Sequence, residues 1–80
     1  MRRGPRREVV VYTRQGCHLC AEAEAVVRRV ARRHDVRLVD IDADPALVER
    51  YTVRVPVITV DGAEVAEYQV DPARLRAALR

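Results

Sequence analysis

The two cysteines of the 80-residue chain, Cys17 and Cys20, are separated by only two residues. An apolar run, Val9-Val10-Val11, comes before them, and a long helical pattern follows them. A Cys-x-x-Cys between a strand and a helix, in a chain with βαβ patterning, is typical of a redox-active dithiol. The chemistry to expect from this stretch is electron exchange between a thiol pair and a disulfide.

The predicted position of Cys17 at the start of a helix favours its thiolate form. Free backbone N–H groups and the positive end of the helix dipole stabilise a negative charge there. Motifs of this kind lower a cysteine pKa from about 8.5 to about 3.5–7.5. Cys20 lies one turn further on and can resolve a mixed disulfide formed at Cys17. His18 and Arg14 add positive charge nearby, and Gly16 lets the chain bend tightly before the nucleophile.

Two other uses of the cysteines have to be compared with this one. A closed zinc site needs four ligands, and the chain offers only Cys17, Cys20, His18 and His34. Because His34 lies about four helical turns from His18, one compact zinc site is not expected. A purely structural disulfide between the cysteines would close a very short loop and add little stability. Active dithiol chemistry is therefore favoured, with zinc binding and inert cysteines as the alternatives.

The positive charge of the chain is concentrated at its beginning. Residues 1–7 contain four of the fifteen arginines and no acid, whereas residues 8–80 carry eleven arginines against twelve acids. We therefore expect a disordered basic tail at 1–7 and one small domain at 8–80. No nucleic-acid partner is expected, and no apolar run suggests an export signal or a membrane span. A cytoplasmic monomer is the default expectation.

Periodicity predicts the element order βαβαββα. The predicted elements are a strand over Glu8–Thr13, a helix over His18–Arg33, a strand over Val36–Ile41, a short helix over Pro45–Arg50, a hairpin of Val57–Val60 with Ala63–Ala66, and a last helix from Pro72. The first helix connects two strands that should be parallel, with a right-handed crossover. Its apolar stripe is predicted to include Leu19, Ala23, Val26 and Val30, and to be widened by Cys20, Val27 and Ala31.

Short polar motifs predict where several elements begin and end. Asp44-Pro45 and Asp71-Pro72 each combine an N-cap residue with a proline in the first helical turn. Asp61-Gly62 favours a two-residue type I′ hairpin turn. His34 is interpreted as a cap at the end of the first helix, where positive charge is welcome. Asp40 and Asp42 are interpreted as the polar end of the second strand.

The element order, the stretch Gly16-Cys17-His18-Leu19-Cys20 and the Val55-Pro56 pair together resemble the glutaredoxin branch of the thioredoxin fold. The likeness is greatest to small bacterial glutaredoxin-like proteins with a Cys-His-Leu-Cys motif, and it covers residues 8–80. The resemblance implies an α/β fold, in which helices flank a four-stranded mixed sheet.

The resemblance also implies a thiol–disulfide oxidoreductase and assigns roles within it. Cys17 would be the exposed nucleophile and Cys20 the buried resolving thiol. Pro56 would be a cis proline facing the dithiol, with the Val55 backbone free to pair with an extended disulfide substrate. Arg14 occupies the place of a basic residue that would stabilise the thiolate or meet a glutathione carboxylate. No metal or organic cofactor is implied.

Departures from the glutaredoxin pattern leave the partners open. His18-Leu19 stands where glutaredoxins usually have Pro-Tyr, and Ala66–Asp71 contains no Gly-Gly for holding glutathione. The substrate would be a disulfide-containing protein or glutathione, and the electron donor would be glutathione or thioredoxin reductase. An iron–sulfur cluster carrier and a redox-silent binding module of the same fold are the alternative functions.

Overall fold

A four-stranded sheet lies at the centre of the computed structural model, which describes residues 4–80. The elements are β1 (Glu8–Thr13), α1 (His18–Val30), β2 (Asp35–Asp40), a short 3-10 helix (Ile41–Ala43), α2 (Pro45–Tyr51), β3 (Val57–Val60), β4 (Ala63–Glu67) and α3 (Pro72–Ala78). The predicted order of strands and helices is confirmed. The added 3-10 helix connects β2 to α2.

The strands of this mixed sheet are ordered β2-β1-β3-β4. β1 is parallel to β2, with Thr13 beside Asp40, and antiparallel to β3, with Tyr12 opposite Val57. β4 is antiparallel to β3 and ends with Glu67 opposite Val57. The sheet therefore has one end at which β1, β2 and β4 finish and β3 begins. We call it the dithiol end, because the chain passes from β1 directly to Cys17.

Both faces of β1 are covered, as its three consecutive valines predict. Val9 and Val11 are fully buried and Val10 is 4% exposed. One face packs against α1 and α3 in a cluster of nine buried residues: Val9, Val11, Ala23, Val27, Ala31, Ile58, Val60, Leu75 and Leu79. On the other face Tyr51 of α2 packs with Ile41 and Val57, and its ring centroid lies 4.6 Å from that of Tyr12. Burial on both faces is expected of a central strand.

Helix α1 is shorter than predicted, and only part of its predicted apolar stripe is buried. It ends at Val30, and its C-cap residue Ala31 donates an N–H bond to the carbonyl of Val27. The buried positions on α1 are Cys20, Ala23 and Val27, whereas Leu19 of the predicted stripe is 37% exposed. The buried part of the stripe includes the second cysteine.

The predicted role of His34 and the predicted bounds of the second strand were wrong. His34 does not cap α1, because its Nδ1 atom accepts the backbone N–H of Arg7 at 3.0 Å. Next to it, the N–H of Asp35 donates to the carbonyl of Arg7, which begins β2 one residue earlier than predicted. Ile41, predicted as the last strand residue, is instead fully buried in the 3-10 helix.

Arg7 connects three segments at the end of the sheet opposite the dithiol end. Its guanidinium donates to Asp61 Oδ2 at 2.8 Å, to the carbonyl of Leu79 at 3.3 Å and to the carbonyl of Arg80. Arg6 pairs with Asp35 at 2.9 Å. Ordered contacts therefore extend back into the predicted tail, of which residues 1–3 lie outside the described part of the chain.

The two predicted N-caps and the predicted turn are confirmed. Asp44 accepts the N–H of Ala46, and Asp71 accepts that of Ala73, each at 2.9 Å. The hairpin turn between β3 and β4 has positive φ at both central residues, 50° at Asp61 and 87° at Gly62. This is the requirement of a type I′ turn, which Asp-Gly meets well.

Candidate active site

A sharp turn carries the chain from β1 into α1. Gly16 adopts a φ of 75°, in the left-handed region that favours glycine over residues with a Cβ. Cys17 then takes an extended conformation as the N-cap of α1. The turn thus presents the first cysteine at the N-terminus of the helix, as the sequence pattern predicts.

The two sulfur atoms are paired, but their surroundings differ. Cys17 Sγ and Cys20 Sγ are 2.29 Å apart, and the two Cα atoms are 5.2 Å apart. Cys17 is half-buried, whereas Cys20 is only 2% exposed. Cys17 Sγ also accepts the backbone N–H of Cys20 at 3.1 Å, so the sulfur itself caps the helix. Of the two sulfur atoms, only that of Cys17 is therefore accessible to a partner; the roles that the resemblance implies for the two cysteines stay a prediction.

His18 lies on the outer surface of the first turn of α1. Its side chain is 89% exposed, and Nε2 lies 2.9 Å from Glu22 Oε2, one turn further along the helix. A protonated imidazole here would interact with both the Glu22 carboxylate and the nearby helix N-terminus. Its proposed effect on Cys17 stays a prediction.

Arg14 is held toward the β2 side of the dithiol end. Its Nε donates to Asp42 Oδ2 at 3.1 Å, and its Nη1 donates to the Thr52 carbonyl at 3.1 Å. The hydrogen bond with Asp42 raises the pKa of Arg14 and lowers that of Asp42. The parallel register explains the pairing, since Thr13 and Asp40 are neighbours and the residues that follow them must meet. Asp40 accepts the N–H of Asp42 and so caps the 3-10 helix.

Val55 and Pro56 immediately precede β3, at the same end of the sheet as Cys17. The peptide bond between them is cis, as expected, and the Pro56 side chain is fully buried. The carbonyl of Pro56 accepts the backbone N–H of Tyr68 at 2.9 Å. This bond joins the loop before β3 to the loop after β4.

Tyr68 is the residue of this region that sequence reasoning missed. It has a φ of 66°, which is unusual for a bulky side chain, and its side chain is 46% exposed. The N–H of Gln69 donates to the Glu67 carbonyl at 2.8 Å, which closes a γ-turn around Tyr68. The available signal was its position, since it lies in the stretch where glutaredoxins usually have Gly-Gly.

Residues 4–80 bring together no group of three or more His, Cys, Asp or Glu side chains that could hold a metal ion. Within the same residues, none of the helices combines the length and apolar character needed to cross a bilayer.

The sheet order, the dithiol at the start of α1 and the cis proline before β3 define a thioredoxin-fold protein. Protein Ne2328 of Nitrosomonas europaea aligns with 100% of this chain and 99% of its own, with a TM-score of 0.85 and 31% identity. A thioredoxin variant from Halobacterium salinarum aligns with 91% of this chain and 71% of its own, with a TM-score of 0.66 and 28% identity.

Residues 8–80 match the family model described as Glutaredoxin-like domain (DUF836). The chain therefore belongs to this glutaredoxin-like family, as its motifs predict. Protein Rv0508 of Mycobacterium tuberculosis is 30% identical over 79 residues, which cover 90% of this chain and 81% of that protein.

Proposed function

We propose that this protein is a thiol–disulfide oxidoreductase that reduces disulfides through Cys17 and Cys20, and that it works in the cytoplasm. The observation that supports this most is the pairing of one accessible and one buried sulfur at the start of α1. A reducing compartment would return the pair to the dithiol after each cycle.

The first step is attack by Cys17. Its thiolate is favoured by the N–H of Cys20, by the other free N–H groups of the helix N-terminus and by the helix dipole. The thiolate attacks one sulfur of the substrate disulfide and forms a mixed disulfide with it. The other substrate sulfur leaves as a thiolate and takes up a proton.

The second step is resolution by Cys20. Cys20 loses its proton and attacks Cys17 Sγ, which lies within bonding distance in the oxidised pair. The Cys17–Cys20 disulfide forms, and the second half of the substrate leaves as a thiol. Both electrons in the reduced substrate thus come from the dithiol. An external donor, either glutathione or thioredoxin reductase, then reduces the Cys17–Cys20 disulfide.

The surrounding residues support these steps without reacting. Gly16 sets the turn that exposes Cys17. Val55 precedes the buried Pro56 at the dithiol end, and its backbone would pair with an extended substrate. Arg14 holds this end together through Asp42 and Thr52.

Adduct formation in single-cysteine variants tests the proposal. Cys20→Ser is exposed to hydroxyethyl disulfide and its mass is followed with time. We expect a stable adduct on Cys17, because the resolving thiol is absent. The matched control is Cys17→Ser, which keeps an N-cap oxygen in place of the sulfur and should react far more slowly, because Cys20 is buried.

The wild-type protein is equilibrated in parallel across a series of glutathione redox potentials. If glutathione reduces the Cys17–Cys20 disulfide, the result would support glutathione as the electron donor. If only thioredoxin reductase reduces it, the result would support that enzyme as the donor. Absence of both the adduct and the disulfide at every potential would refute the oxidoreductase proposal.

A further inference from the structure

A groove lies between the first two turns of α1 and the loop that connects β4 to α3. It has an inner part of about 180 Å³ and an outer part of about 560 Å³, and both are lined by Leu19 and by residues 68–70. Leu19 lies between the two cysteines in sequence. The groove therefore begins within one helical turn of the reactive sulfur.

The groove has an apolar floor and an aromatic wall. Ala23, Val26 and Val70 line its inner part. Leu19 is 37% exposed and Tyr68 is 46% exposed, which makes them two of the four large hydrophobic side chains that stand out on the described surface. Exposed apolar residues gathered beside a reactive group are typical of a surface that binds a partner.

The backbone holds Tyr68 in this position at a cost. Its γ-turn uses a left-handed φ that a tyrosine rarely adopts. Two hydrogen bonds fix the turn, one from Tyr68 to Pro56 and one from Gln69 to Glu67. Strained residues that are fixed in this way cluster at ligand-binding sites. The strain is therefore consistent with a binding role for the ring.

The charged residues in the lining are all acidic. Glu22 lines the inner part, whereas Glu67 and Asp71 line the outer part, and no arginine of residues 4–80 lines either. Glu67 pairs with Arg54 at 2.8 Å. Asp71 forms no ion pair within the same residues, and Glu22 pairs with His18. The charged side chains at the rim of the groove are therefore acidic, while Arg54 and Arg74 line the adjoining hollow.

From this charge and shape, and on the basis of the proposed function, we infer that the groove selects polypeptide disulfides whose cysteine is flanked by an apolar and a basic residue. The apolar side chain would pack between Leu19 and Tyr68. The basic side chain would meet Asp71 or Glu22, and the exposed tyrosine ring can add a cation–π contact. Oxidised glutathione carries more carboxylates than ammonium groups, so the same rim disfavours it.

A binding measurement tests the inference without any redox step. The Cys17→Ser/Cys20→Ser protein is titrated with a peptide that contains serine in place of cysteine, flanked by leucine and arginine. We expect amide NMR shifts concentrated at Leu19 and at residues 68–71, with weaker binding as salt is raised. A counterpart peptide with glutamate in place of arginine should bind at least about tenfold more weakly. Equal binding of both peptides, or shifts elsewhere on the surface, would overturn the inference.

Turnover of the corresponding cysteine peptides, each oxidised to its disulfide dimer, gives the second test. At low salt we expect kcat/KM for the basic peptide to exceed that for the acidic peptide by about tenfold or more. The double variant Glu22→Gln/Asp71→Asn should bring this ratio close to one. Its matched control, Glu49→Gln/Asp44→Asn, changes an exposed glutamate and an N-cap aspartate on α2 and should keep the ratio.

The apolar part of the groove is tested with a matched leucine pair. Leu19→Ala should lower kcat/KM for both peptides by about fivefold to tenfold, whereas Leu38→Ala, equally exposed on edge strand β2, should not. Tyr68→Gly removes the ring without adding backbone strain, because glycine adopts the left-handed region freely, and it should lower kcat/KM for both peptides as Leu19→Ala does. Equal losses in Leu19→Ala and Leu38→Ala would contradict the inference. Failure to reduce even hydroxyethyl disulfide would instead refute the proposed function, and the NMR titration would still decide the groove.

Discussion

The Cys17 sulfur atom is both a helix cap and the accessible atom of the redox pair. It caps α1 by accepting the N–H of Cys20, and it is the only accessible sulfur of the pair. Each change in its oxidation state therefore changes the first hydrogen bond of the helix. A thiolate is a stronger acceptor than a disulfide sulfur, so the reduced protein should have the better-capped helix.

His18 offers a test of how charge near this sulfur acts. We expect His18→Ala to move the midpoint of the thiolate titration upward by a few tenths of a pH unit, because an imidazolium beside the helix N-terminus is lost. The effect should be small, since the side chain is 89% exposed and solvent screens its charge. The midpoint is read from thiolate absorbance near 240 nm as the pH is varied.

The companion variant Glu22→Gln should move the same midpoint in the opposite direction. The Glu22 carboxylate lies 2.9 Å from the imidazole and offsets its positive charge. Shifts of the same sign in both variants, or no shift in either, would show that His18 does not influence Cys17.

The features of this site that depend on residues close in sequence could be predicted from the sequence. The resemblance, which rests on the Cys17–Cys20 motif and on the Val55-Pro56 pair, implied the accessible sulfur, the buried sulfur and the cis bond that the structure shows. The partner of Arg14 depends on the parallel register of two strands. The conformation of Tyr68 depends on a hydrogen bond to a residue twelve positions earlier. No periodicity or turn preference contains either piece of information.

The N-caps Asp44 and Asp71 were predicted correctly because each cap is a contact within three residues. Asp71 accepts the N–H of Ala73 and starts α3, which in turn buries Leu75 in the main core. We expect Asp71→Ala to lower the free energy of unfolding by about 1 kcal/mol, whereas Asp71→Asn should have little effect, because asparagine caps equally well. Urea denaturation of the three proteins measures the difference.

If the Asp71 carboxylate stabilises α3 through its charge and not as a cap, Asp71→Asn and Asp71→Ala should lower the free energy of unfolding equally. That result would show that charge, and not the hydrogen bond to Ala73, stabilises α3. It would also require a different variant for removing charge from the groove.

Helix α1 shows why the face and the length of an element were harder to predict. Leu19 and Cys20 both belong to the predicted apolar stripe, and the resemblance assigns a buried position to Cys20 but none to Leu19. In the structure Cys20 is buried, whereas Leu19 lies at the groove. The helix ends at Val30 because the chain must turn back to place Asp35 beside Arg7, which is a constraint from β1.

The reactive groups lie at one end of the sheet, and the side chains that connect the first strand to the hairpin turn and to the last helix lie at the other end. The dithiol end holds Cys17 and Pro56. At the other end, Asp61 in the hairpin turn accepts the backbone N–H of Glu8 and the guanidinium of Arg7. These two interactions lower the pKa of Asp61, with the hydrogen bond from Glu8 as the larger cause.

The lowered pKa of Asp61 predicts a pH-dependent contribution to stability. Because the folded-state pKa lies below the unfolded value of about 3.9, the contribution is present at neutral pH and is lost as the pH falls through the folded-state pKa. Asp61→Asn keeps the turn, since asparagine tolerates positive φ. We expect this variant to be less stable than wild type at pH 7, and the difference to be smaller at about pH 2.

Urea denaturation at the two pH values measures this effect, and Arg7→Gln provides the comparison. If Arg7 and Asp61 act together, the double variant should lose less stability than the sum of the single variants. A constant difference between Asp61→Asn and wild type at both pH values would contradict the assignment of the effect to the carboxylate charge.

The contacts of Arg7 with Leu79 and Arg80 have a practical consequence for building with this domain. The start of the first strand and the end of the last helix lie together at the end of the sheet opposite the dithiol end. A domain whose two ends adjoin in this way can be inserted into a loop of a host protein or joined head to tail with little distortion. When it is inserted at that point, the dithiol would lie at the end of the domain that faces away from the host protein.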